Sequence, residues 1–137
     1  MSNIKEKARE NMVSADLLIK NDYRTASVHC LYYSCFQLSK YILKTYYDLD
    51  YSTQAKEIEE QKGNSHNYII EKLFNFVNQD KGRLAAVDCK KHLKNLKLGR
   101  KKADYSDEKM SQNEIDDLKS AADSFNNICE INFNETL

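Results

Sequence analysis

One arginine stands where the helical pattern calls for an apolar side chain. In the stretch Leu96-Lys97-Leu98-Gly99-Arg100-Lys101-Lys102-Ala103-Asp104-Tyr105, a step of about 100° per residue gathers Cys89, Leu93, Leu96, Arg100 and Ala103 into a sector about 80° wide. Lys90, Lys94, Lys97 and Lys101 form a second stripe roughly a quarter-turn away. A guanidinium that faces a core must be paired or must line a polar cleft, because burying it alone is very costly. Two readings follow. Either Arg100 makes an internal salt bridge, to Asp104 or to an acid on another helix, or it offers a planar fork to a phosphate.

His66 occupies a similar place at the start of another apolar face, with Ile69, Ile70, Leu73, Phe74 and Val77. A guanidinium and an imidazole in one cleft are the minimal kit for metal-independent RNA cleavage. The imidazole moves the 2′-hydroxyl proton while the guanidinium stabilises the phosphorane-like charge. A lone histidine on an apolar face is, however, more often a hydrogen-bonded core residue, and the same holds for His29 beside Tyr32 and Tyr33. Of the nine tyrosines, Tyr32, Tyr33, Tyr41, Tyr46 and Tyr47 share one helix, where ring packing is the default and base stacking the alternative. No Gly-rich phosphate loop, HExxH, GxSxG or metal-ligand cluster is present, so no cofactor or metal is expected. Cys30, Cys35, Cys89 and Cys129 show no CxxC spacing and read as reduced structural thiols of a cytoplasmic protein.

Charge is balanced overall, with 21 Lys and Arg against 21 Asp and Glu, which by itself implies no polyanionic partner. The distribution is uneven. From Lys81 to Lys102 there are nine basic residues and one acid, Asp88, whereas Ala103 to Leu137 holds nine acids and two lysines. Either these are two solvated helix faces that pair inside a bundle, or the positive stripe receives phosphates or an acidic partner.

The elements that must position these residues are helical. There is no proline and there are only three glycines, against an ordinary combined share of about 12%, and proline's absence favours long helices. Five helical segments are expected in a single domain over 1–137. The first, about Asn3 to Lys20, has Ile4, Ala8, Met12, Ala15 and Leu18/Ile19 on one face. Asn21-Asp22 breaks the chain and supplies an N-cap. The second, about Tyr23 to Tyr47, carries Val28, Leu31, Tyr32, Cys35, Phe36, Leu38, Ser39, Ile42, Leu43 and Tyr46 over roughly 160°, which marks it as central and most buried. Asp48 to Asn64 reads as a polar, irregular loop in which Ala55 to Lys62 has room for two helical turns. The third helix starts near Ser65 as N-cap. The fourth runs from about Arg83 to Lys102, and Asp104 to Ser111 is a second break. The last helix has the seam Ile115, Leu118, Ala122, Phe125 and Cys129. With no strand alternation, no signal-like or membrane-length apolar run and no repeat, the expected fold is an all-α, antiparallel four- to five-helix bundle.

Three segments in this order resemble the HEPN family, the all-α domains named for prokaryotic and higher-eukaryotic nucleotide binding. Ala26-Ser27-Val28-His29-Cys30-Leu31-Tyr32-Tyr33-Ser34-Cys35-Phe36 is similar to the family's tyrosine-pair helix. Ser65-His66-Asn67 looks like the Thr/Ser-His segment of one branch, and Arg100-Lys101-Lys102-Ala103-Asp104-Tyr105 looks like that branch's Arg-x-x-Ala-Asp-Tyr signature. The resemblance implies a HEPN-like bundle, commonly a homodimer with its site near the dimer interface, encoded beside a small nucleotidyltransferase as a toxin–antitoxin pair. Catalytic relatives carry a histidine shortly after the arginine, whereas positions 104 to 107 here are Asp104, Tyr105, Ser106 and Asp107. Ribonuclease activity would therefore need His66 to reach Arg100 from another helix, and Arg100 with His66 is the candidate catalytic pair. The candidate nucleotide- or RNA-binding residues are Arg100, Asp104, Tyr105, Tyr33, Lys94, Lys97 and Lys101. Tyr105 is also the candidate acceptor of adenylyl groups from the transferase. The remaining alternative is a non-catalytic dimerisation module in which Arg100 is a structural ion pair.

Overall fold

The structure, a computed structural model, describes residues 3–137. Six helices hold nearly all of them: α1 (Asn3–Lys20), α2 (Arg24–Tyr47), α3 (Tyr51–Glu60), α4 (Ser65–Lys81), α5 (Arg83–Tyr105) and α6 (Gln112–Phe133). No strand occurs among the described residues, and no helix among them is long and apolar enough to cross a membrane. The all-helical bundle is as expected. Helix α2 is its centre, packed against α1, α4, α5 and α6. Val28, Leu31, Tyr32, Cys35, Ile42 and Leu43 are fully buried, because an apolar sector this broad has to be covered from several sides at once. The seam of α6 is buried as its spacing requires, from Ile115 to Cys129. The four cysteines form no disulfide, and burial pushes the Cys89 thiol up to about 12.

The helix count and several boundaries differ from expectation. The Asp48–Asn64 stretch is not an irregular loop, because Tyr51–Glu60 forms a helix of its own. Asp50 caps it by accepting from the Thr53 N–H, and Gln54 fastens it by donating to the Lys40 and Leu49 carbonyls at 3.2 and 2.8 Å. A polar glutamine in this buried position left no apolar period to read. Asp22 does not cap α2. It sits in the left-handed region at φ 62, and the residue at the cap, Tyr23, makes no side-chain bond there. Asn64 rather than Ser65 caps α4, accepting from the Asn67 N–H. Helix α5 continues through Asp104 and Tyr105 before the chain turns, so both stay on helical spacing with Arg100. Tyr46 is exposed rather than in the core, its hydroxyl reaching the chain end. Gly99 answers a packing need: a Cβ there would meet the Leu118 methyls at 2.7 Å, so its absence lets α5 and α6 close together.

Candidate functional site

Helices α2, α4 and α5 deliver polar side chains to a common point at the same end of the bundle. Tyr32 and Tyr33 come from α2, His66 from the first turn of α4, and Arg100 from the penultimate turn of α5. Tyr32 is the hub. Its hydroxyl lies 2.6 Å from His66 Nδ1, and its ring lies under the Arg100 guanidinium at 5.5 Å. The guanidinium also stands 5.7 Å from the Tyr33 ring. Two aromatic faces thus hold the cation in place, a geometry that stabilises it by about 0.5–2 kcal/mol per ring. Phe36 closes the cluster against His66 at 5.1 Å between ring centres.

Arg100 is only loosely satisfied. Its side chain is 12% exposed and its Nη1 is 3.5 Å from the Asp104 carboxylate. The same group donates to the Tyr33 hydroxyl at a long 3.4 Å, and its Nε is buried with no hydrogen-bond partner. The internal pair with Asp104 anticipated from the sequence exists, yet it is stretched and its acid is shared. His29 Nδ1 approaches the same Asp104 oxygen at 3.9 Å. A stretched pair to a carboxylate that water can reach contributes less than about 1 kcal/mol.

The hydrogen-bond pattern assigns a state to His66. Burial pushes the Tyr32 phenol well above its ordinary range, against the pull of Arg100, so the phenol keeps its proton. That proton needs an acceptor, and His66 Nδ1 is the partner in reach. Burial, then Arg100, Lys97 and Lys101, hold His66 below its ordinary 6.5. With the phenol donating, neutral His66 accepts at Nδ1 and its own hydrogen is assigned to Nε2.

The lysine stripe lies alongside. Lys97 Nζ donates to Asn67 Oδ1 at 2.6 Å, one residue past His66. Burial, then Lys101, Lys94 and Arg100, hold Lys97 below its ordinary value. Lys90 pairs with Glu71 of α4 at 2.8 Å, but among the described residues Lys94, Lys97 and Lys101 have no acid within ion-pair distance. The acidic last helix does not neutralise them. Its ion pair with α5 is Glu114 to Lys102, at 2.8 Å, off the stripe, while its Lys119 pairs with Asp123 of the same helix and Asp16 of α1. Tyr105 stands apart, 79% exposed, with no contact to the cluster. The sequence does not mark Tyr32 or Asn67 as site residues. Tyr32 read as core because it is core, and Asn67 carries no signal beyond its adjacency to His66. Among the described residues no group of three His, Cys, Asp or Glu side chains could hold a metal ion. No protein-family model, no curated protein and no solved structure matches this chain.

Proposed function

We propose that the Arg100 cluster binds the phosphate of a nucleotide or of RNA, in a HEPN-type protein that works with a small nucleotidyltransferase. One observation carries the reading: four cations, Lys94, Lys97, Arg100 and Lys101, crowd one patch, where burial and then the other three depress Lys97, and among the described residues Asp104 is the one acid paired there. A phosphate on this patch relieves the mutual repulsion, takes charge-assisted bonds from Arg100 and the lysines, and accepts from the His66 Nε2 hydrogen. This tautomer favours binding over cleavage, because a proton-abstracting base needs a free lone pair where His66 carries hydrogen. The RNase alternative through Arg100 and His66 requires the reverse arrangement. The remaining parts of the proposal rest on the sequence resemblance: a cytoplasmic homodimer, one half of a toxin–antitoxin or defence pair, with Tyr105 accepting adenylyl groups. The exposure of Tyr105 at the end of α5 suits an acceptor that a second protein must reach.

Arg100→Lys tests the reading. Lysine keeps the charge but not the planar fork, so binding of RNA or nucleotide should weaken about tenfold or more while the fold persists. Equal binding by variant and wild type removes Arg100 from the site. Incubation with the neighbouring transferase and ATP should add one adenylyl mass to the wild type and none to Tyr105→Phe.

A further inference from the structure

A cavity adjoins the phosphate patch and differs from it in chemistry. It has a volume of about 350 Å³ and lies where α3 turns into α4, lined by Gln61, Asn64, Asn67, Tyr68, Glu71, Lys72 and Asn75. That volume sits at the small end of ligand sites, about 300–1,000 Å³. Four of the seven lining residues are carboxamides. Its one acid, Glu71, is taken up by Lys90 at 2.8 Å, and its lysine, Lys72, lies over the Tyr68 ring at 5.8 Å. The cavity is thus lined mostly by neutral donors and acceptors, with Lys72 as its one cation.

We infer that this cavity receives the nucleobase attached to the phosphate held at Arg100. The inference rests on the phosphate reading above and names what is recognised beyond the phosphate. Asn67 joins the two places, since its Oδ1 takes the Lys97 ammonium at 2.6 Å while its amide group lines the cavity. Asn64 is likewise half committed: its Oδ1 accepts the Asn67 N–H, which turns its NH2 free. Gln61 and Asn75 have no side-chain hydrogen bond among the described residues, so each offers both a donor and an acceptor. A carboxamide pairs through two bonds with a base edge that presents a donor beside an acceptor, as adenine does at N6 and N7. A bare phosphate has no such edge; ribose hydroxyls can also pair with a carboxamide, so the base is told from the sugar by ligands that share the sugar phosphate. The ligand class is therefore a nucleotide with an unpaired base, either free or at an exposed position in single-stranded RNA.

Calorimetric titration at low salt tests this with two pairs of probes: AMP against ribose 5-phosphate, and a short single-stranded oligoadenylate against its abasic counterpart. In at least one pair the base-bearing probe should bind about tenfold more tightly. The double variant Gln61→Ala/Asn75→Ala, altered at two exposed side chains, should bring that ratio close to one while leaving binding of the base-free probe unchanged. The pair that shows the preference identifies the source as free nucleotide or RNA. Equal binding of base-bearing and base-free probes in both pairs overturns the cavity assignment and leaves the phosphate site standing. A preference that survives in the double variant overturns it too, by placing the base elsewhere. Absence of any binding to the wild type sinks both readings together.

Discussion

Two charged clusters in this bundle contrast in how completely their bonds are met. At the end where the chain finishes, Glu135 is 8% exposed and takes the Lys5 ammonium at 2.5 Å together with the Tyr46 hydroxyl at 2.5 Å. Tyr46 also reaches the Phe133 carbonyl at 2.8 Å, so α1, α2 and the end of α6 are clasped by one carboxylate. At the Arg100 end the ion pair is stretched to 3.5 Å, a buried Nε is unpartnered, and among the described residues three lysines have no acid within ion-pair distance. Burying charge is tolerable when its bonds are complete. The first cluster satisfies that condition within the chain. The second satisfies it only in part, through Asp104.

The contrast breaks most readily by truncation. Glu135→Ala should lower unfolding free energy by about 1.5–3 kcal/mol, the worth of hydrogen bonds to a charged group, and leave RNA or nucleotide binding unchanged. Arg100→Lys should show the opposite profile, costing less than about 1 kcal/mol in stability while losing ligand. Denaturant titrations of the two variants beside binding titrations decide it. If Arg100→Lys is the more destabilised of the two, the Arg100 cluster is a structural clasp as well.

A smaller effect is expected from the stripe. Lys94→Ala/Lys97→Ala should reduce RNA affinity and flatten its dependence on salt, since a phosphate that no lysine neutralises keeps its counterion when the complex forms. Its melting temperature should stay near that of the wild type, because among the described residues neither lysine pairs with an acid and Lys97 gives up only an exposed bond to Asn67. Normal affinity in this variant makes the stripe a solvated face.

The smallest effect separates the clusters by pH. His66 is held below 6.5, so the unfolded chain takes up the proton first. Stability should fall as pH drops through 6.5 and level off below the folded value. His92, depressed by burial and by Lys91, adds to the same step, and His66→Gln should remove only part of it. Burial pushes the Glu135 carboxyl up, but hydrogen bonds from Lys5 and Tyr46 outweigh it and leave the group below 4.5. Its contribution is fully present above that value and is lost as pH falls through the folded one. Melting curves across this range should therefore show two separate declines, and Glu135→Ala should reduce only the lower, to which Asp50 and Glu114, held down by hydrogen bonds from Thr53 and Lys102, also contribute.

The helical periods were legible from residue types alone. Proline's absence and the spacing of Val28, Leu31, Cys35 and Ile42 in α2, or of Ile115, Leu118, Ala122 and Phe125 in α6, specify which faces must be buried. The same arithmetic put Arg100 on a core-facing stripe and the lysines beside it. It left room for two helical turns over Ala55 to Lys62 but missed the start of α3 at Tyr51, whose buried anchor is the polar Gln54, and did not show that Asn64 and Tyr23 would sit at helix starts in place of Ser65 and Asp22. Those outcomes depend on local backbone bonds that several polar residues can make equally well.

What tertiary structure alone decided is which side chains meet. Periodicity assigns a residue to a face of its own helix but says nothing of the neighbour opposite. Only the packing of α2 between α4 and α5 sets the Tyr32 hydroxyl on His66 and the Tyr32 ring under Arg100. Only the placement of α5 against α6 leaves Lys94, Lys97 and Lys101 beyond the reach of the acidic helix, although the two segments carry opposite charge. Composition determined how much charge there is. The three-dimensional arrangement determined that at one end the charge is answered within the chain, and that at the other Arg100 keeps a stretched ion pair and an unpartnered Nε.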